Sequence, residues 1–499
     1  MKSILFVCRA NRSKTSASIS ESVKRINDEI RTISLTIYED WWVESSQEIK
    51  NAFDRSYGTE HIYEKAFSKK APNNNFKYID KYFKNRVDFW NIVFSERYLV
   101  NLEHSEVYFN YKYTRDELLL YANYTLWEFE NILLKENPSI IFDYSSLGFM
   151  RGMLHAVASY QNINYLRFFP SRIEGYSYLS EIYSSTLSLA KPRLVGEIDE
   201  VDFFSNVYNK YHASGEAYSA VHMRKNKKHN LINLIVKIPQ AVVAIFTEIS
   251  IRAKGYNDKS LKYNYYKYIS LFSRRLYVYY TRRCKGLLYK INERYITTDP
   301  SSISGVKYLF TMHVQPEAST SVDAPYCASQ EYVIQNICRA LPPNGVLVVK
   351  PHPYQVSIEP VSLYKRISSI PNLVLVKKSI KTVDLLKLCD AAITITGTVG
   401  IESIFNGKKA FCLADTIYSD CEEVERANSF EELSRILNNE ETVLVADKRK
   451  VESYFHELSK VLYEVDFNKN FRNPTSNKEY YESVNMASKI LVTFLNTYQ

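Results

Sequence analysis

The sequence predicts an α/β protein: two doubly wound parallel sheets with a basic helical insertion between them. Three observations lead there. From Val306 to Leu413, short β-branched runs alternate with amphipathic segments, the pattern of parallel strands joined by crossover helices. A second, shorter β-α-β pattern spans 138–169. Between them, residues 221–290 carry sixteen Lys/Arg against two Asp/Glu, a local net charge of +14 in a chain whose total is +9, so the remainder nets −5. At 499 residues the chain is about three times the usual ~150-residue domain, so two or more domains are expected. A hydrophobic fraction of 45% with 24% charged residues excludes wholesale disorder and a multi-span membrane protein.

Taken in order, ILFVC at 4–8 is an opening strand followed by a polar loop. Its apolar part is too short for a membrane span and carries no signal-peptide pattern. Residues 41–135 are rich in aromatics and charges, with helical patterning at 88–103 and 113–135. Ile140–Phe142 is a strand, about 147–160 an amphipathic helix and Tyr165–Phe169 a strand. Residues 171–220, beginning SRIEGYSYLS, are polar and loop-rich. The apolar stretch 231–249 is interrupted by Lys237, Pro239, Gln240 and Glu248, which argues against a transmembrane helix.

Beyond residue 300 the alternation is strong. Strands are expected at Val306–Met312, Val346–Lys350, Leu373–Lys377, Ala391–Thr396 and Lys409–Leu413. Helices are expected at Gln330–Leu341, stopped by LPPNG, and at Thr382–Cys389 and Val399–Phe405. The last 60 residues read as helical. Domains are accordingly expected at 1–220, 221–298 (the basic, Tyr-rich insertion), 299–440 and 441–499.

The seven cysteines show no C-x-x-C and no zinc spacing, so reduced core thiols in a cytosolic protein are expected, with no metal and no cofactor. In the insertion, 259–292 mixes Tyr, Leu and Ile with Lys and Arg, including Arg274, Arg275, Arg282 and Arg283. Three readings stand: a solvated helix with a tyrosine packing face, a surface for an anionic membrane or lipid-linked acceptor, or a nucleic-acid site. No RNA-binding signature supports the last.

In open parallel sheets, ligands sit beyond the carboxyl ends of the strands, so three loops matter. TMHVQPEAST (311–320) offers Gln315 and Glu317 after a strand, a carboxylate able to act as general base, or merely a helix start. KPHPY (350–354) holds His352 between prolines, able to donate to a phosphate or simply a surface turn. TITGTVGIES (394–403) offers Thr396, Gly397, Thr398 and Gly400 at a helix start, with Glu402 able to meet ribose hydroxyls. Its bland reading is a helix capped by Thr398. Together the three suggest a nucleotide leaving group and an acceptor to be deprotonated. No Asp-x-Asp stands in a convincing strand-end loop, so the sequence favours metal-free leaving-group stabilisation.

The run H-x-Q-P-E-A-S-T, the Gln-led helix from Gln330, V-K-P-H-P and I-T-G-T-V-G-I-E-S-I-x-x-G-K together resemble the capsular polysaccharide biosynthesis family. These motifs are similar to those of the Kdo transferases of bacterial capsule export. The clear resemblance covers roughly 300–415; the unit at 138–169 and SRIEG at 171–175 resemble the N-terminal half more faintly. It implies a GT-B fold with two Rossmann-like domains. It implies that His352 and Pro353 contact the phosphate of a CMP-sugar and that Thr396, Gly397 and Thr398 help hold the nucleotide. It implies that Glu317, beside Gln315, is the acid, although Glu stands where the family has Asp, nearer its Gln. The expected activity is an inverting glycosyltransferase passing a sugar from a nucleotide donor to a glycan or glycolipid acceptor lying between the halves, on the inner face of the plasma membrane. Alternatives are another sugar donor such as a UDP-sugar, a CDP-polyol phosphotransferase of teichoic-acid type, and a non-catalytic scaffold.

Overall fold

A computed structural model of the chain describes residues 2–8, 13–37, 47–66, 76–95, 114–143, 148–183, 185–215, 271–315, 320, 322–472 and 478–498. The chain divides into two compact units: 1–168 with 220–280 and 466–499, and 169–219 with 281–465.

The first unit is built on β1 (Ser3–Cys8), β2 (Arg31–Thr36), β3 (Arg55–Gly58), β4 (Ile140–Asp143) and β5 (Asn164–Pro170). They run parallel in the order β5-β4-β1-β2-β3. Ile4, Leu5, Phe6, Ile140 and Ile141 are fully buried, as strands covered on both faces require. The expectation of a polar loop after β1 is corrected here. A helix spans Ser13–Ile26 and two further strands follow. Its inner face is made largely of hydroxyls: Ser13, Thr15, Ser16 and Ser20 are buried, and the Ser20 hydroxyl donates to the Ala52 carbonyl at 2.8 Å. Hydroxyls in place of methyls erase the apolar period that marks a helix in sequence.

The second unit holds β6 (Ser177–Glu181), β7 (Val306–Thr311), β8 (Gly345–Lys350), β9 (Leu373–Leu375), β10 (Ala391–Thr394), β11 (Ala410–Cys412), β12 (Val424–Arg426) and β13 (Leu462–Tyr463). Strands β7 to β12 form a parallel sheet in the order β12-β11-β10-β7-β8-β9. Side chains alternate between its faces. Tyr308, Phe310, Leu347 and Val349 join one core with Val333, Ile337, Tyr364 and Leu433; Leu309, Val348 and Ala392 join another with Leu385 and Leu386. The second sheet expected from the sequence is therefore present, with β7 to β11 within a few residues of their expected bounds; β12 was not expected. Strands β6 and β13 pair antiparallel. The stretch read as loop-rich, 171–220, contains β6 and a helix, Phe203–Ser214, a second correction. That helix buries a narrow stripe, Phe203, Phe204, Val207 and Tyr211, against Phe405 and Phe455. These four positions, spaced i, i+1, i+4 and i+8, carry the helical period that marks such an element in sequence.

The first unit also hides a charge pair. Arg151 and Asp143 are 0% and 1% exposed, with Nε 2.6 Å from Oδ2, and the Tyr165 hydroxyl donates to the same carboxylate at 3.2 Å. Removing one partner of a buried pair strands the other, at a cost of roughly 3–5 kcal/mol, whereas replacing both with apolar groups is often near neutral. Arg151→Ala is expected to lower the urea-unfolding free energy of the first unit by about that amount. Arg151→Met with Asp143→Leu should recover most of it. A single-variant loss within experimental error would show that the pair is not the constraint it looks to be.

Candidate functional site

The order of strands in the second sheet reverses at β7: β8 lies on one side, β10 on the other. Ligands of open parallel sheets bind beyond the carboxyl ends at such a switch point. The loops after β10, β7 and β8 are adjacent there, and they are the three singled out in the sequence.

The loop after β7 is held by glutamine amides. Gln330, buried at the start of the helix Gln330–Ala340, accepts from the His313 N–H at 2.6 Å and donates to the His313 carbonyl at 2.8 Å. Gln355 accepts from the Gln315 N–H at 2.8 Å and donates to Glu359 at 2.8 Å. The Gln315 side chain donates to the Ala328 carbonyl, and its Oε1 is buried with no partner. The role of Gln355 was missed in the sequence; a glutamine in the turn after HPY has no marker of its own.

His352 lies in the turn after β8. Its Nδ1 accepts from the Tyr354 N–H at 3.2 Å, so the neutral ring carries its proton on Nε2. Its ring is tilted against Tyr354, centroids 5.6 Å apart. His352 is half-buried and Pro353 exposed.

In the loop after β10, the Thr394 hydroxyl accepts from the Gly397 N–H at 2.9 Å and the Tyr418 hydroxyl donates to the Gly397 carbonyl. A Cβ on Gly397 would stand 2.8 Å from Thr394 Oγ1, too close for the turn as it is, and 3.6 Å from His313 Nε2, an ordinary contact with the loop after β7. A Cβ on Gly400 would meet the Tyr418 ring at 2.5 Å. The helix Val399–Phe405 has the expected bounds. Thr398 stands at the N-cap position but makes no side-chain cap bond. Thr396 is 1% exposed and its Oγ1 has no partner. Glu402 is buried, its charge bearing on Tyr211 and Tyr418.

His313 is buried, and burial first, then the Arg172 and His352 charges, pull its pKa from 6.5 to about 3. Among the described residues its Nε2 has no partner. Arg172 was not singled out in the sequence, though SRIEG was. It is half-buried and has positive φ, 67°.

Residues 316–319, and with them Glu317, lie outside the described residues. The helix Leu271–Ile296 includes Arg274, Arg275, Arg282 and Arg283; the side chains of Arg274 and Arg275 are outside the described set. Arg282 is half-buried and Arg283 exposed. Among the described residues no group of three His, Cys, Asp or Glu is placed to hold a metal ion. No described helix is long and apolar enough to cross a membrane.

Residues 237–426 match the family model described as capsule polysaccharide biosynthesis protein. The match takes in all three loops, and the family resemblance read from the motifs holds over that stretch. No curated protein matches. Among solved structures, the Thermosulfurimonas dismutans KpsC, beta Kdo 2,4 transferase, is 12% identical, with 64% of this chain and 88% of that chain covered and a TM-score of 0.32. The S. aureus MnaA–UDP structure is 9% identical, covering 100% and 97%, TM-score 0.25. UDP-GlcNAc 2-epimerase from Neisseria meningitidis bound to UDP-GlcNAc is 10% identical, covering 99% and 100%, TM-score 0.22. Likenesses this low assign neither a reaction nor a ligand to this chain.

The His313 pKa has a consequence for stability. With the folded value below the unfolded one, the unfolded chain binds the extra proton. The contribution is complete above about pH 6.5 and is lost as pH falls toward 3. Relative to His313→Asn, the native protein is expected to lose up to roughly 1 kcal/mol per pH unit between pH 6 and 4. Urea unfolding of both proteins across that range measures it; parallel pH profiles would mean that His313 is not held neutral.

Proposed function

We propose that this protein is a glycosyltransferase of capsular polysaccharide biosynthesis that takes its sugar from a nucleotide donor, a CMP-sugar, and delivers it with inversion to a glycan or glycolipid acceptor. One observation carries the reading: the loops after β10, β7 and β8, with His352, Thr396 and Gly397, lie together at the switch point of one sheet. His352 has its Nδ1 engaged by the Tyr354 N–H, and its ring is assigned the contact with the donor phosphate. An N–H donor beside a departing phosphate stabilises charge where it develops. The Thr396–Gly397–Thr398 turn and Gly400 provide a close backbone approach, and Gln315 and Glu402 complete the donor side. Glu317, assigned from the sequence, takes the proton of the acceptor hydroxyl. The hydroxyl oxygen then bonds to the anomeric carbon from the face opposite the phosphate, and the anomeric C–O bond breaks with its electron pair going to the nucleotide.

His352→Ala is expected to weaken CMP binding about tenfold by calorimetry. Glu317→Gln should retain CMP binding and lose transfer by a hundredfold or more, measured as CMP release from a CMP-sugar with acceptor. Normal turnover by Glu317→Gln would remove the base assignment. Selective UDP or GDP binding would keep the transferase and discard the CMP donor.

We also infer that the acceptor is met at an anionic membrane. The helix Leu271–Ile296 buries Tyr289 and Ile296, and its Lys285 donates to the Ile358 carbonyl at 2.7 Å. On the opposite face Leu287, Leu288, Ile291 and Tyr295 are 59%, 50%, 65% and 71% exposed. Arg283, Lys290 and Arg294 follow one flank at helical spacing. An apolar stripe edged by cations suits an anionic bilayer surface. Binding to phosphatidylglycerol vesicles in a flotation assay is expected, with about tenfold loss in Leu288→Glu/Ile291→Glu. Equal binding by that variant, or binding to neutral phosphatidylcholine alike, would remove the membrane reading.

A further inference from the structure

The turn from Ser171 to Tyr176 carries a cation that the mechanism above does not use. Its shape is fixed: the Ser171 hydroxyl donates to the Tyr176 carbonyl at 2.9 Å and accepts from the Ile173 N–H at 3.2 Å. Ile173 is buried in one core with Ile401 and Tyr418, which anchors the turn beside the helix Val399–Phe405. Arg172, between these two anchors, is held at φ 67°, a conformation that L residues other than Asn and Asp seldom adopt. Strain of this kind persists only where surrounding structure enforces it, and it clusters at functional sites.

The guanidinium is half-buried, and no hydrogen bond or ion pair joins it to any described residue. Its neighbours are known from two directions. Its charge opposes protonation of His313 and favours ionisation of Tyr418, and both residues touch Gly397. The Tyr418 hydroxyl bonds the Gly397 carbonyl; the His313 ring lies against its Cα side. In the same place two buried side chains have polar atoms without partners, His313 Nε2 and Thr396 Oγ1, the residues being 9% and 1% exposed. Buried polar atoms are nearly always paired, and unpaired ones ask for a ligand or another explanation. The imidazole and the hydroxyl flank Gly397, and the Arg172 turn packs beside the helix that follows it; a permanent cation, an imidazole and a hydroxyl of this kind form a set able to donate to one oxyanion.

We propose that Arg172, His313 and Thr396 form an oxyanion-binding site that takes an anionic group of the donor, either its phosphate or a carboxylate on its sugar. The proposal rests on reading the loops around β7 as the donor site. Arg172 adds to that site from outside residues 237–426. His352 lies in a different loop, so the two cations need not serve the same oxygen atoms.

The test compares cytidine, CMP and CMP-N-acetylneuraminate (a CMP-linked sugar acid) by calorimetry on the full chain. The variants are Arg172→Asn, which tolerates the left-handed backbone, and Arg172→Lys, which keeps the charge; thermal melting checks that each is folded. The wild type should bind at least one of the two anions about tenfold or more tightly than the neutral or less charged probe. Arg172→Asn should erase that advantage without changing the affinity for cytidine, and Arg172→Lys should restore part of it. Loss of the CMP-over-cytidine advantage assigns the phosphate; loss of the sugar-acid-over-CMP advantage alone assigns the carboxylate. Unchanged preferences in a folded Arg172→Asn would overturn the proposal and leave the donor site standing. Failure of the wild type to bind any of the three would remove the cytidine reading and the proposal with it.

Discussion

Gln330 holds both hydrogen-bonding groups of the His313 peptide, and the geometry of the candidate site depends on that clamp. A parallel strand that ends between two neighbours leaves its next peptide with no ladder to join, and a buried backbone N–H or C=O without a partner costs as much as a lost hydrogen bond. Here one side-chain amide replaces the missing strand. It fixes the direction in which the chain leaves β7 and hence where His313 and Gln315 lie. Gln355 repeats the device one step on, bonding the Gln315 N–H and anchored itself by Glu359. Neutral amides suit this work. They satisfy a donor and an acceptor at once, and they bring no charge to a place where charge would compete with a ligand.

The glycine-lined loop after β10 complements the clamp. Gly397 and Gly400 bring the backbone so close to the Thr394 hydroxyl and to the Tyr418 ring that a methyl group would not fit without displacement. Tyr418 then serves as a strut: fully buried, its ring packs on Gly400 and its hydroxyl bonds the Gly397 carbonyl. Burial holds its phenol well above the usual range, so it remains a donor through the neutral range. The loop after β7 is thus pinned by amides, and the loop after β10 by close packing.

The sequence was most readable where periodicity, turn residues and strand chemistry agreed. The helix Val399–Phe405 was placed to the residue because Thr396-Gly397-Thr398 and Asn406-Gly407 bracket an apolar run. The three loops were identifiable because they follow β-branched strands directly. The helix Ser13–Ile26 was not, because its buried face is built largely of serines and a threonine, which carry no apolar period. Phe203–Ser214 was missed although its four aromatic and aliphatic positions carry the helical period. Of the site, His313 and Arg172 escaped for a different reason. What singles them out is burial without partners and a left-handed backbone, and neither is written in residue type or spacing.

Charge explains how these parts fit together. Two histidines and an arginine brought close would repel if all were protonated, and an anion would then be needed simply to hold the fold. Burial instead keeps His313 neutral, with its pKa near 3, so the site retains hydrogen-bond donors without an obligatory counter-ion. Arg172 is the permanent charge among the three. The basic excess of the chain is concentrated elsewhere, in 221–290. The site therefore draws on one placed cation and on oriented dipoles, which in a low-dielectric setting act more strongly on a developing negative charge than a diffuse positive surface does. A diffuse surface does something different: it raises the local concentration of an anionic partner over distances of a Debye length. In the proposed function, long-range attraction falls to the insertion and short-range recognition to the loops at the end of the sheet.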